Sequence, residues 1–355
     1  MRLLPARPRS STCSSRHRRS LLRRTVVATA IATATVATVL STMFSVALLS
    51  AGTAHAATDS ATLGQVPGYF RQRIGDLTVT ALFDGVVPLA RSMLKDIDAK
   101  TVSALVANRY VPESKDGFQT AVNAYVVQHG DRVMLVDAGT AKCFGPTLGN
   151  VITNLRAAGY KPEDVDTVLV THAHPDHLCG VATPQGAAAF PNAILWLAGA
   201  DVDFWTGDEA QAKAPAPMQP LFDMARKAIA PYAAAGRLRR FGPGESIVPG
   251  VLAVATPGHT PGHTSFLFEA GRKERLLVWG DVLHYHAVQF ARPQASFEAD
   301  TDRRLAVRSR LDVMRRSAAN GWWVAGAHLP FPGLGHVRRE GDAFAWVPVE
   351  YGPVR

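Results

Sequence analysis

The stretch Thr171-His172-Ala173-His174-Pro175-Asp176-His177 sets four metal-ligating side chains within six positions. His172 and His174, two apart on an extended backbone, project to one side and can grip one ion through their imidazoles. Pro175 then turns the chain, so that Asp176 and His177 can address a second ion nearby. Three later segments can complete the two shells: Thr256-Pro257-Gly258-His259-Thr260, Gly280-Asp281 and Gly326-Ala327-His328. Each follows an apolar run, as expected of ligands carried on loops at one rim of a rigid sheet. One histidine alone would be most simply a surface or satisfied core residue. The ordered series is not explained that way.

The elements that must hold these loops follow from periodicity. Residues 77–83 alternate as a strand. Residues 124–127 and 133–136, parted by His129-Gly130-Asp131, read as a hairpin. Leu148, Val151, Ile152 and Leu155 predict a helix over 147–158, with Gly159 as its stop. A buried strand at 167–170 runs straight into the histidine-rich loop. The Ala/Pro-rich residues 211–220 read as irregular, followed by a helix over 221–230. Further strands are expected at 251–255, 265–268, 276–279 and 322–325, interrupted by a helix over 302–317. Two strand-rich halves with helices imply an α+β fold of two packed mixed sheets flanked by helices. On this reading 57–120 is an N-terminal extension of a catalytic domain spanning 121–355.

Charge is distributed unevenly over the 355 residues. The first 56 hold eight Arg and no Lys, Asp or Glu, so they carry +8 of the formal +9. The remainder is near neutral, which removes any electrostatic reason to expect nucleic acid or an anionic membrane as partner. A hydrophobic content of 47% excludes a disordered chain. The basic stretch up to Arg24, the uncharged run 25–51 and Ala54-His55-Ala56 read as a cleavable signal peptide over 1–56. Arg18-Arg19-Ser20-Leu21-Leu22 resembles a twin-arginine export signal. The expected product is exported, periplasmic or extracellular, and keeps no stable membrane anchor. Cys143 and Cys179 survive cleavage and read as two buried free thiols, although an oxidising compartment permits a bridge.

The order H-x-H-x-D-H, G-H, G-D, H resembles the metallo-β-lactamase superfamily, whose fold is an αββα sandwich with metals at one edge. Phe144-Gly145-Pro146-Thr147-Leu148-Gly149, Phe190-Pro191-Asn192-Ala193, Thr260-Pro261-Gly262-His263-Thr264, Ala287-Val288-Gln289-Phe290 and Phe331-Pro332-Gly333-Leu334-Gly335-His336 resemble methyl parathion hydrolase and its exported relatives. The resemblance implies a homodimeric hydrolase with two divalent ions, usually zinc, acting on small phosphotriesters, lactones or esters. Mn, Co or Fe suit the same donors. By match to the motif, one ion takes His172, His174 and His259, the other takes Asp176, His177 and His328, and Asp281 bridges them. A hydroxide shared by the two ions is then the nucleophile.

Asp137, in Leu135-Val136-Asp137-Ala138-Gly139, matches the superfamily's first motif; it reads as orienting a ligand histidine or as a strand-end cap. His263 reads as a hydrogen-bonding neighbour of the metals. Phe144, Trp205 and Phe222 resemble the aromatic wall of the phosphotriesterase pocket. Cys179 stands where the superfamily usually has Gly. Three places after the bridging Asp, lactonases of the superfamily carry Tyr and phosphotriesterases an apolar residue; this chain has His284. Asp176, Asp281 and His284 are therefore the catalytic candidates, with His284 either donating to the reacting oxygen or leaving group, or facing solvent at the pocket mouth. The competing functions are a β-lactam hydrolase and a mononuclear-iron oxidoreductase of the persulfide dioxygenase type.

Overall fold

In the computed structural model, which describes residues 65–354, most strands join in chain order into two large sheets, and Leu94–Lys95 pairs with Ser296–Phe297 in a small third one. The first sheet runs β1 (Tyr69–Ile74), β2 (Leu77–Leu89), β3 (Gly117–His129), β4 (Arg132–Val136), β5 (Thr167–Leu169), β6 (Ile194–Ala198) and β7 (Leu238–Phe241). The second runs β8 (Ser246–Val248), β9 (Val251–Ala255), β10 (Thr264–Ala270), β11 (Glu274–Val278), β12 (Trp323–Ala325), β13 (Leu334–Glu340) and β14 (Ala343–Pro348). Pairing is parallel along β4–β5–β6–β7 and between β11 and β12, and otherwise antiparallel along these two sheets. The helices are α1 (Ala99–Asn108), α2 (Val151–Ala157), α3 (Pro175–Leu178), α4 (Gly199–Thr206), α5 (Asp208–Lys213), α6 (Gln219–Ala234), α7 (His286–Gln289) and α8 (Arg303–Asn320).

Parallel neighbours need crossovers, and the crossovers lay helices on the outer faces. Between the sheets, Val79, Tyr125, Val127 and Val136 meet Phe266, Phe268, Leu276 and Val278. On the outer face of the first sheet, Leu155 of α2 and Phe222, Ala225 and Ile229 of α6 cover Val126, Leu135 and Val168. Across the second sheet, Val313 and Met314 of α8 cover Leu277 and Val324. Each such side chain contributes about 1.5–3 kcal/mol by leaving water, and the result is an αββα sandwich with a stiff centre.

Residues 69–120 take part in the first sheet: β2 pairs with β3 from Thr78↔Gln128 to Leu89↔Phe118, and its far end reaches the site described below. Two local expectations change. The helix expected over 147–158 begins only at Val151, because Gly149 takes a left-handed φ of 92° and turns Leu148 away. Segment 211–220, read as irregular, is split among the end of α5, a 3-10 turn at Ala216–Met218 and the start of α6. Among the described residues no helix is long and apolar enough to cross a membrane. The signal-peptide and export readings over 1–56 lie outside the described residues.

Candidate metal centre

Five strands end at one rim of the sandwich, and the candidate donors leave from four of those ends. β5 leads into His172, His174, Asp176 and His177, β9 into His259, β11 into Asp281 and β12 into His328; Asp137 follows β4 directly. Two glycines make the approach possible. A Cβ at Gly180 would sit 1.8 Å from the Ala138 carbonyl oxygen, so only glycine lets the segment after His177 lie against the Asp137 turn. Gly280 has φ 57°, and a Cβ there would meet the His263 ring at 2.8 Å.

The candidate donors converge in two sets, and His284 joins Asp281 and His328 in a third that overlaps them. His172, His174, His259 and Asp281 bring their ligating atoms within 4.8 Å of one another, as do Asp176, His177 and His328. Asp281 reaches both: its Oδ2 lies 3.2 Å from His259 Nε2 and 3.1 Å from His328 Nε2, and its Oδ1 lies 3.1 Å from His177 Nε2. The set suits divalent cations. His174 Nδ1 faces His172 Nε2 at 3.0 Å and His259 Nε2 at 2.9 Å, and a single ring proton satisfies only one of those contacts. His177 Nε2 and Asp281 Oδ1 are buried without a hydrogen-bond partner, a costly state that a cation relieves. Burial pushes the Asp281 carboxyl up, but the imidazoles around it, His177 foremost, hold it well below the usual carboxylate range. Burial, and after it the neighbouring imidazoles of His177, His174 and His259, push His172 well down against the pull of Asp281, leaving a neutral ring with a free lone pair.

A second layer fixes the rings. Asp137 accepts from His177 Nδ1 at 2.8 Å, and also from the Thr171 amide, so both readings of Asp137 describe contacts it makes. Burial lowers His263 to about 3, so its ring is neutral. Its Nδ1 donates to the Thr256 carbonyl at 3.0 Å, and its Nε2 accepts the Asp281 amide at 2.9 Å. Three further residues escaped the sequence reading. Asp300 accepts from His259 Nδ1 at 2.8 Å. Asp201, on α4, accepts from the Ala173 and Gly262 amides and from the Thr260 hydroxyl, tying the two histidine loops together. Burial lifts its carboxyl to about 6 against those bonds. Arg310, fully buried on α8, donates to the carbonyls of Val282, Pro293 and Ala295 and so holds the chain after Asp281. None has a sequence signature, since an isolated Asp or Arg on a helix or loop reads as surface.

His284 does not face solvent. It is 3% exposed, its Nε2 lies 3.0 Å from Asp281 Oδ2, and its ring lies on Phe297 with centroids 4.2 Å apart. Burial lowers it to about 4, so it is a neutral imidazole. It shares a cavity of about 240 Å³ with His174, Asp176, His259, Asp281 and His328. The walls are Val87, Leu89, Val122, Leu148, Leu221 and Phe297, with Phe144 and Met218 at the edges. Trp205 and Phe222 need correcting. Both are fully buried and neither lines the cavity; Trp205 packs its ring edge-on behind His174 at 5.1 Å, and Phe222 lies behind Trp205. Helix α6 turns Phe222 inward to the core, leaving its neighbour Leu221 to face the cavity. The cysteines also need correcting: Cys143 and Cys179 form a disulfide, with Cα atoms 6.4 Å apart. The parallel β4–β5 crossover sends both following loops off the same sheet end, which brings together residues 36 apart in sequence.

The comparisons agree with this geometry. The family model described as the metallo-beta-lactamase superfamily matches residues 117–340. A solved structure described as hydrolase AbOPH in the beta lactamase superfamily is 38% identical, with TM-score 0.78 over 82% of this chain and 100% of that one. AidC, a dizinc quorum-quenching lactonase solved with a homoserine product, is 24% identical with TM-score 0.73 over 81% of this chain and 99% of its own, a likeness of fold. The N-acyl homoserine lactonase of Bacillus cereus is 28% identical over 128 residues, 36% of this chain and 42% of that protein. This chain spans about half the length of the curated relatives it matches. With the family model, the structural likeness over 82% of this chain and the rim of histidines in accord, the chain belongs to the metallo-β-lactamase superfamily of metal-dependent hydrolases.

Proposed function

We propose that this protein is a binuclear metal hydrolase of neutral lactones, esters and phosphotriesters, with zinc as the resident metal. One observation carries the reading: two donor sets, both touched by Asp281, present His174, Asp176, His259, Asp281 and His328 to a cavity whose other walls are uncharged. Two divalent ions there would acidify a water to hydroxide near neutral pH and polarise the oxygen of the bond under attack. The chain's own residues do the rest. Asp176 and Asp281 offset the mutual repulsion of two cations. Asp137 and Asp300 fix the rings of His177 and His259, so their lone pairs point inward. Val122, Leu148 and Phe297 exclude water and receive apolar substituents. His284, on the same wall, would give its single N–H to the reacting oxygen or to an alkoxide leaving group by releasing Asp281 Oδ2, which its Nε2 faces at 3.0 Å.

Among the described residues no Lys or Arg lines the cavity. An anionic phosphodiester would meet no fixed cationic side chain there, which favours neutral substrates over nucleic acid. The partial likeness to the Bacillus lactonase supports the lactone arm. The resemblance to the methyl parathion hydrolase group supports the triester arm, and the leader supports export. Metal analysis with assays on paraoxon-type triesters, aryl esters, lactones and nitrocefin tests the reading. Two ions per chain and turnover of the first three classes are expected. Full activity with one ion, or turnover of nitrocefin alone, overturns it.

A further inference from the structure

In the stretch Ala287-Val288-Gln289-Phe290 only Gln289 has a polar side chain, and that side chain is fully buried. Gln289 ends α7 and folds back across the turn to the two residues that lead into the helix. Its Oε1 accepts from the His284 amide at 2.8 Å and from the Tyr285 amide at 2.9 Å, which occupies both lone pairs of the oxygen. Its Nε2 donates to the Ala295 carbonyl at 3.0 Å. Arg310 Nη1 donates to that same carbonyl at 2.7 Å, while Arg310 Nε holds the Val282 carbonyl. One buried amide therefore ties the backbone of His284 to the chain that leads into Phe297.

The His284 ring has few polar contacts of its own. Its Nε2 faces Asp281 Oδ2, and its Nδ1 is buried without a partner. The rings of Phe297, His259 and His328 pack around it, with centroids 4.2, 4.7 and 5.0 Å away. Those rings confine the imidazole to a slot, but its depth in the slot follows from where the backbone stands. A proton donor works only within hydrogen-bond reach of the atom it serves, and a misplacement of about 1 Å is costly. Once Nε2 releases Asp281, the anchor left to His284 is its backbone, which Gln289 holds.

We propose that Gln289 is a positioning residue that acts through His284 and sets substrate selectivity. It favours lactones and alkyl esters, whose leaving oxygen needs a proton, over triesters with an activated leaving group. This rests on the hydrolase reading and on His284 as donor, but the positioning can be read without turnover.

The test pairs spectroscopy with kinetics. Gln289→Met keeps the length of the side chain and removes its hydrogen bonds. In zinc-loaded protein it should move the imidazole NMR resonances of His284, identified by their loss in His284→Leu. Those of His336, bonded to the Trp322 carbonyl away from the site, should stay. The kcat ratio of an alkyl ester to a nitrophenyl phosphotriester should fall by about tenfold, the scale of one misplaced donor. Gln289→Glu keeps an oxygen for the two amides and should recover most of that ratio. In the His284→Leu background, Gln289→Met should change the ratio by less than about twofold, because the group it positions is gone. Unmoved His284 resonances, an unchanged ratio in folded Gln289→Met, or a further tenfold fall in the His284→Leu background would each overturn the proposal. Should Gln289→Met not fold, Gln289→Asn, whose amide is one methylene shorter, takes its place. Moved His284 resonances with no turnover of any ester, lactone or triester by the wild type would sink the hydrolase reading and keep the positioning; hydrolysis with unmoved resonances would do the reverse.

Discussion

The two halves of the metal centre are built differently. The first is one loop: His172, His174, Asp176 and His177 leave β5 together, and neighbouring covalent geometry sets most of their spacing. The second is assembled: His259, Asp281 and His328 come from three strand ends and are separated by 22 and 47 residues. Each depends on a distant brace: Asp300 for His259, the His263 ring for the Asp281 amide, and the Ala121 carbonyl for His328 Nδ1 at 2.9 Å. A contiguous motif carries its own order, whereas a dispersed one inherits order from the sheet and its second layer.

Removing the one residue of the dispersed half that touches both donor sets should have the largest effect. Asp281→Ala should lose at least one of two bound ions and lower kcat/KM by about a thousandfold or more, as read by metal analysis and turnover. Retention of both ions would mean the two donor sets do not share this carboxylate. Next comes the staple on the first half. Cys143→Ser with Cys179→Ser should lower stability by about 2–4 kcal/mol in denaturant unfolding, and should raise KM more than it lowers kcat, because Phe144 sits beside the bond at the cavity edge. An unchanged unfolding midpoint would show that the loop holds itself.

Bracing residues test the comparison most directly. Asp300→Asn and Asp137→Asn should each weaken one ion by about 10–100-fold in chelator competition. The dispersed half should suffer more, since Asp300 alone holds the outer nitrogen of His259, while the loop of the first half retains its local geometry. Equal losses would erase the distinction. The smallest effect is expected at His284. His284→Leu should lower kcat on lactones and alkyl esters by about tenfold and leave nitrophenyl phosphotriesters nearly unaffected, because nitrophenolate departs without a proton. Equal losses on both classes would remove His284 from the chemistry.

The unequal legibility of the sequence follows from the same physics. The hairpin at β3–β4, the buried strand β5 and the histidine loop could all be read locally, because alternation and ligand spacing are short-range signals. Asp201, Asp300 and Arg310 could not, since each acts across 28 residues or more or through backbone carbonyls that carry no side-chain identity. The aromatic wall was misread for a related reason. A helix shows which residues share a face, but not whether that face meets a cavity or a core, and Phe222 and Leu221 are neighbours with opposite fates.

By itself, then, the sequence determined the kind of site: imidazole and carboxylate donors at strand ends, in an order that random surface polarity does not produce. It also determined the alternating strands that would carry them. Only the tertiary structure decided that β2 belongs to the sheet and lines the cavity, that Cys143 meets Cys179, and that His284 turns inward onto Asp281. Those outcomes depend on which strand ends share a rim and how closely the crossovers pack, and such distances arise only when the whole core closes.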